Sequence, residues 1–156
     1  MSFGVVNLIA SLRSSRETFL KHLKDLRDDQ WTWKPYPECK SIVETLAHLI
    51  SNDRAALQSL ETGREPDYAS LQESERDPKR LLEMMGETRN RLIAYIEQKF
   101  AVAPLDAEVS LFSMRMSLAS ALLMLNCEEY YHAGQVAFIR MATDPGWDYY
   151  AAVYGG

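Results

Sequence analysis

At 156 residues, 47% hydrophobic and 25% charged, the chain is long enough to close one apolar core and has the balance of an ordinary globular protein. A net charge of −5 leaves no basic face for phosphates, which excludes nucleic acid as an expected partner. No stretch of about 18 apolar residues is present to span a bilayer, so no membrane association is expected.

Helical periodicity appears in four segments, expected at about 5–27, 41–62, 77–100 and 113–142. The first carries Leu8, Leu12, Phe19, Leu23 and Leu26 at threes and fours, and its flanking His22 reads as solvent-facing. The second opens on Ser41-Ile42-Val43-Glu44, in which Ser41 caps the amide three residues on and Glu44 reaches back. It ends before Gly63. The third starts at Asp77-Pro78, an N-cap followed by a proline at the one turn where its missing donor costs nothing. The fourth begins near Ser113 and is broken by Asp144-Pro145-Gly146.

Three non-helical connections lie between them. Residues 28–40 hold Trp31, Trp33, Pro35 and Pro37, which should run extended and pack their indoles on the bundle end. Residues 62–76 are polar and long, more a crossover than a turn. Residues 101–112 hold Pro104 and an apolar alternation, Val109 and Leu111, suited to a short extended piece. The expected fold is all-α, a four-helix bundle with long connections forming a single domain over 1–156. Gly146-Trp147-Asp148-Tyr149-Tyr150 with Tyr154 forms an aromatic tail fit to cover the bundle or to meet a second subunit. Two distant cysteines, Cys39 and Cys127, fit a reducing compartment. The opening MSFGVVNLIASLRSSRE shows neither basic leader nor cleavage site, and a cytoplasmic protein is expected.

The chemistry-bearing residues are few. Only three histidines occur: His22, His48 and His132. On a wheel of about 100° per residue, Leu125, Ala121, Val136, Ile139 and Glu128 fall within about 40° of His132, while Glu129, Tyr130 and Tyr131 turn progressively away. A carboxylate on an apolar face needs neutralising, and a buried arginine such as Arg54 or Arg115, a raised pKa, or a metal ion would each serve. A histidine one turn from that carboxylate is a natural co-ligand for a divalent metal. His48 lies off its own helix's apolar stripe, beside Thr45 and Asn52, as a flank ligand or surface residue. No phosphate-cradling glycine loop, nucleophile elbow or CxxC pair is present.

Two stretches carry a family pattern: LKDLRDDQWTWKPYPECKSIVETLAHL (residues 23–49) and EEYYHAGQVAFIRM (residues 128–141). With the order and lengths of the helices, they resemble the DinB/YfiT-like superfamily of metal-binding bundles. That resemblance implies one divalent ion held by a histidine of the second helix and two of the last. Matched by position, these are His48 and His132, with Glu128 standing where the family's remaining histidine falls. Zinc or nickel is implied first, with manganese a further candidate because the oxygen ligand hardens the site. The resemblance also implies a metal-dependent S-transferase that activates a low-molecular-weight thiol such as bacillithiol or mycothiol, and a homodimer. The alternatives are a metal-dependent hydrolase and a non-catalytic binding module with a degenerate site.

Overall fold

The computed structural model describes residues 4–155, so Met1, Ser2 and Phe3 of the apolar N-terminal run lie outside the described residues. In chain order the elements are α1 (Val5–Lys21), α2 (Ile42–Thr62), a one-turn α3 (Tyr68–Leu71), α4 (Pro78–Phe100), strands β1 (Glu108–Leu111) and β2 (Met114–Ser117), α5 (Leu118–Thr143) and α6 (Tyr149–Tyr154). The four long helices form the expected all-α bundle. Among the described residues no helix is long and apolar enough to cross a membrane.

Local signals position α2 and α4. Glu44 N–H donates to Ser41 Oγ at 3.4 Å and Ser41 N–H to Glu44 Oε2 at 2.8 Å, so the expected capping box closes. Gly63 ends α2 with φ 67°, a left-handed turn that favours glycine. Asp77 caps α4 through a 2.8 Å bond from Arg80 N–H.

Elsewhere the structure departs from the periodicity. The first helix stops at Lys21 rather than near residue 27. Arg140 of α5 donates to the carbonyls of His22 and Lys24, and Asp25 turns left-handed at φ 56°. The stop is therefore made by a residue over a hundred positions away. The last helix starts at Leu118 rather than Ser113 because Met114–Ser117 pairs antiparallel with Glu108–Leu111, Leu111 opposite Met114. The intervening Phe112, at φ 56°, makes the turn without the Asn-Gly signature that would announce a hairpin. Ser59 of α2 fastens it by donating to the carbonyls of Ser110 and Phe112.

Helix α1 packs on α5 and α2 on α4, and the two pairs face each other across a seam where α1 meets α4 and α2 meets α5. The apolar core falls into two compartments. One gathers Leu8, Leu12, Leu92, Ile96, Leu122 and Leu125; the other holds Phe19, Ile42, Leu46, Leu81, Met85 and Val136, with Trp31 and Trp33 packed against it as expected.

Between the compartments lies a layer of four charges, one from each long helix: Arg16, Asp53, Arg89 and Glu129, all 6% exposed or less. Arg16 binds Glu129 with two parallel bonds, Nε to Oε2 at 2.9 Å and Nη2 to Oε1 at 2.7 Å, the fork geometry that arginine makes best. Arg89 Nη2 lies 2.9 Å from Asp53 Oδ1 and 2.5 Å from Glu129 Oε1, and Arg16 Nη2 lies 3.1 Å from Asp53 Oδ2. The bonds thus join helices within each pair and stitch one pair to the other. Burial works against the charge of Glu129, but the bond from Arg16 and the attraction of Arg16 and Arg89 hold its carboxyl below the usual carboxylate range. Glu129, expected to turn away from the core, is its most buried acid. The buried residues of α5 span Leu118, Leu122, Leu125 and Val136, whose centre lies about 50° round the wheel from His132. Glu129 sits at that centre and Glu128 at its edge.

The aromatic tail covers the bundle. Val153 is buried at 1%, Lys21 Nζ donates to its carbonyl at 3.0 Å, and the Arg140 guanidinium stacks 4.5 Å over Trp147. Tyr149 lies 5.6 Å from the ring of His22. His22 is consequently buried at 2% instead of facing solvent, because the chain returns over it from a distance that no local pattern reveals.

Candidate metal centre

His48 on α2 and the Glu128–His132 pair on α5 meet across the seam. One ligand atom from each lies within 4.8 Å of the other two. His132 Nε2 and Glu128 Oε2 are 3.6 Å apart, and the two imidazole rings stand edge to face with centroids 4.9 Å apart. The off-stripe position of His48 is what lets it reach α5 from the flank of α2.

Neighbouring polar groups fix the lone pairs. His132 Nδ1–H donates to Gln135 Oε1 at 2.7 Å, which makes Nε2 the lone-pair nitrogen of the neutral ring and turns it towards Glu128 and His48. Such an outer acceptor is the arrangement that orients a metal-bound imidazole. The Asn52 Nδ2 group lies 3.1 Å from Glu128 Oε2 and 3.3 Å from His48 Nε2. A single donor therefore draws both acceptors to one point, as a cation would. Burial, with the proximity of His132 and Lys40, lowers the pKa of His48 to about 4, so it is neutral and ready to ligate at ordinary pH. Two imidazole nitrogens and one carboxylate oxygen suit a borderline divalent ion.

The arginine alternatives for Glu128 do not form: Arg54 pairs with Glu73 and Arg115 with Glu108. The Glu128 side chain is 32% exposed at the edge of an open cleft of about 520 Å³, lined among others by Lys40, Tyr68, Met124, Tyr131 and Gln135. Cys39, half-buried, lines the neighbouring clefts, and Cys127 is exposed on α5; both are free thiols.

A family model described as the DinB superfamily matches residues 11–136, a span that includes all three candidate ligands. The chain belongs to the DinB superfamily. A crystal structure of a DinB-like protein of Bacillus subtilis, YjoA, aligns with a TM-score of 0.64 over 92% of this chain and 96% of that chain at 18% identity, which establishes a shared fold. No curated protein matches the sequence. In this DinB chain, Asn52, Gln135 and the charged layer belong to the site's surroundings and were not singled out by motif. Asn52 and Gln135 lie at the fourth position after His48 and the third after His132, where side chains on one helix face meet; that spacing was the available signal.

The depressed pKa of His48 sets a pH dependence for the metal-free protein. Between about 6.5 and about 4 an unfolded histidine takes up a proton that folded His48 refuses, so stability should fall as pH falls through that window. His22, lowered by burial, adds in the same direction. Urea midpoints measured from neutral pH downwards for wild type and His48→Gln read the effect: the variant should show the shallower decline, and identical profiles would sink it.

Proposed function

We propose that this DinB-superfamily chain is a divalent-metal enzyme in which His48, Glu128 and His132 hold one ion, zinc or nickel before manganese, and that its substrate is a low-molecular-weight thiol. The convergence of three ligand groups beside an open cleft is the observation that carries the metal part; the thiol comes from the family pattern. Bound there, the ion would act as a Lewis acid that lowers the pKa of a thiol, or of water, entering the cleft. The chain's own groups supply the rest. Gln135 holds the His132 ring, Asn52 orients Glu128 and His48, and Tyr131 stands edge-on to His132 with centroids 5.0 Å apart. A hydrolase would use the same residues with water in place of thiol.

Elemental analysis of protein purified without a histidine tag should find about one equivalent of zinc or nickel per chain. Thiol consumption with a generic electrophile should then follow metal content. Metal-free protein that takes up no ion on titration would overturn the proposal, whereas metal-dependent ester cleavage without thiol turnover would favour hydrolysis.

A cytoplasmic setting is part of the same proposal, supported by the two free cysteines. So is a homodimer. With the tail folded back, support for the dimer shifts to α5, whose outward side exposes Leu123, Tyr130, Phe138 and Met141, each at 50% or more. A helix apolar on all sides is normally covered, and most soluble oligomers are two-fold dimers. Sedimentation should give twice the chain mass; a species of 17.8 kDa at all micromolar concentrations would refute it.

A further inference from the structure

We propose that the buried layer of Arg16, Asp53, Arg89 and Glu129 is a positioning device that sets the register of α2 against α5 and so holds the metal ligands at coordinating distance. The inference rests on the metal reading above. Its basis is placement. The ligands are divided between the helix pairs, His48 on one and Glu128 with His132 on the other. Apolar packing is non-directional and fixes register less sharply than paired charges do, and the smallest displacement that puts ridges back into grooves along a helix is about one turn, 5.4 Å. A slide of that size exceeds the 4.8 Å within which the three ligand atoms gather, and would separate His48 from His132.

Charges do not slide in this way. Arg89 Nη2 to Glu129 Oε1 at 2.5 Å and Arg16 Nη2 to Asp53 Oδ2 at 3.1 Å are the ion pairs of the layer that cross between the pairs, and Arg16 Nη1 adds a 2.8 Å bond to the Met85 carbonyl of α4. Each is made at only one axial offset. On α5 the anchor, Glu129, is the residue after Glu128; on α2 the anchor, Asp53, is the residue after Asn52, which touches both His48 and Glu128. The layer and the site are thus consecutive residues on the same two helices, facing opposite sides of the seam. Buried ion groups are weak sources of net stability but well attested as devices that fix register.

The test separates register from stability. Asp53→Leu with Arg89→Met removes both crossing ion pairs of the layer while leaving Arg16 and Glu129 as a neutral pair. Arg16→Met with Glu129→Leu is the mirror variant. Each is compared with wild type by urea denaturation of the metal-free form, by zinc affinity in competition with a chromogenic chelator, and by the visible spectrum of the cobalt-substituted protein. Leu8→Ala, in the core compartment of residues such as Leu12 and Ile96, controls for destabilisation alone. The expected result is a folded double variant whose zinc affinity falls at least about 10-fold, the lower end for loss of an outer orienting group, with an altered cobalt spectrum. Leu8→Ala should keep wild-type affinity at its reduced stability. Double variants that fold and bind zinc as tightly as wild type, with the same cobalt spectrum, overturn the inference and leave the metal site standing. Failure of both to fold assigns the layer to stability alone and overturns it equally. A wild type that binds neither zinc nor cobalt overturns the metal reading itself.

Discussion

Glutamine at position 129 should lower the stability of the metal-free protein by about 3–5 kcal/mol, the range for stranding a buried charge by removing its partner. Glu129 is wholly buried and answers two guanidiniums, Arg16 through two bonds and Arg89 through one. Glutamine keeps the volume but not the charge, so both cations would have to share Asp53. Arg89 has no slack for this, because its Nη1 is already buried without a partner. The neighbouring change, Glu128→Gln, should leave stability within about 0.5 kcal/mol of wild type, as expected for a partly exposed position. Glu128 meets no arginine, and Asn52 can donate to an amide oxygen as well as to a carboxylate. Urea denaturation of the two metal-free variants beside wild type makes the comparison. A loss under about 1 kcal/mol for Glu129→Gln would mean that the layer contributes little to the fold.

Metal affinity should reverse that order. His132→Ala removes the ligand whose ring is best oriented, and should weaken zinc by more than about 100-fold, beyond the 10–100-fold seen when only an outer partner is lost. Glu128→Gln replaces an anionic ligand by a neutral one and should also weaken zinc strongly, whereas Glu128→His should bind at least as tightly as wild type. Titration against a chelator on folded, metal-free protein reads all three. Wild-type zinc affinity in Glu128→Gln would remove the carboxylate from the ligand set and leave His48 and His132 to bind with solvent. The expected losses would separate the adjacent glutamates, Glu129 by denaturant and Glu128 by chelator.

The difference between these glutamates was the point at which reading from sequence ran short. The capping box at Ser41, the Asp77-Pro78 start and the break after α5 were legible because caps and breakers act within four residues. His48, Glu128 and His132 were legible because their spacing on two helices matches a family pattern. Taking His132 as the middle of the α5 stripe turned the wheel by about 50°, which moved Glu128 into the core on paper and Glu129 out of it. Arg16 carried a usable signal, lying four residues after Leu12 and three before Phe19, squarely in an apolar stripe. What no periodicity contains is the identity of a partner on another helix: Arg140 ending α1, the tail enclosing His22, and the β1–β2 hairpin whose turn lacks the usual residues were all set by contacts distant in sequence.

The charged layer also has a consequence for the order in which the chain assembles. Arg16 and Glu129 are 113 positions apart; Arg16 finds its full set of acceptors only when all four helices are side by side, and Arg89 needs both α2 and α5 beside α4. Before that moment, water is a better host for these groups than a half-formed core. The helices can therefore pair through their apolar compartments early, while the middle of the bundle stays wet until last. Interactions completed after the barrier to folding act chiefly as brakes on unfolding. The same four residues that are costly to bury would then determine how long the folded chain persists more than how fast it is reached.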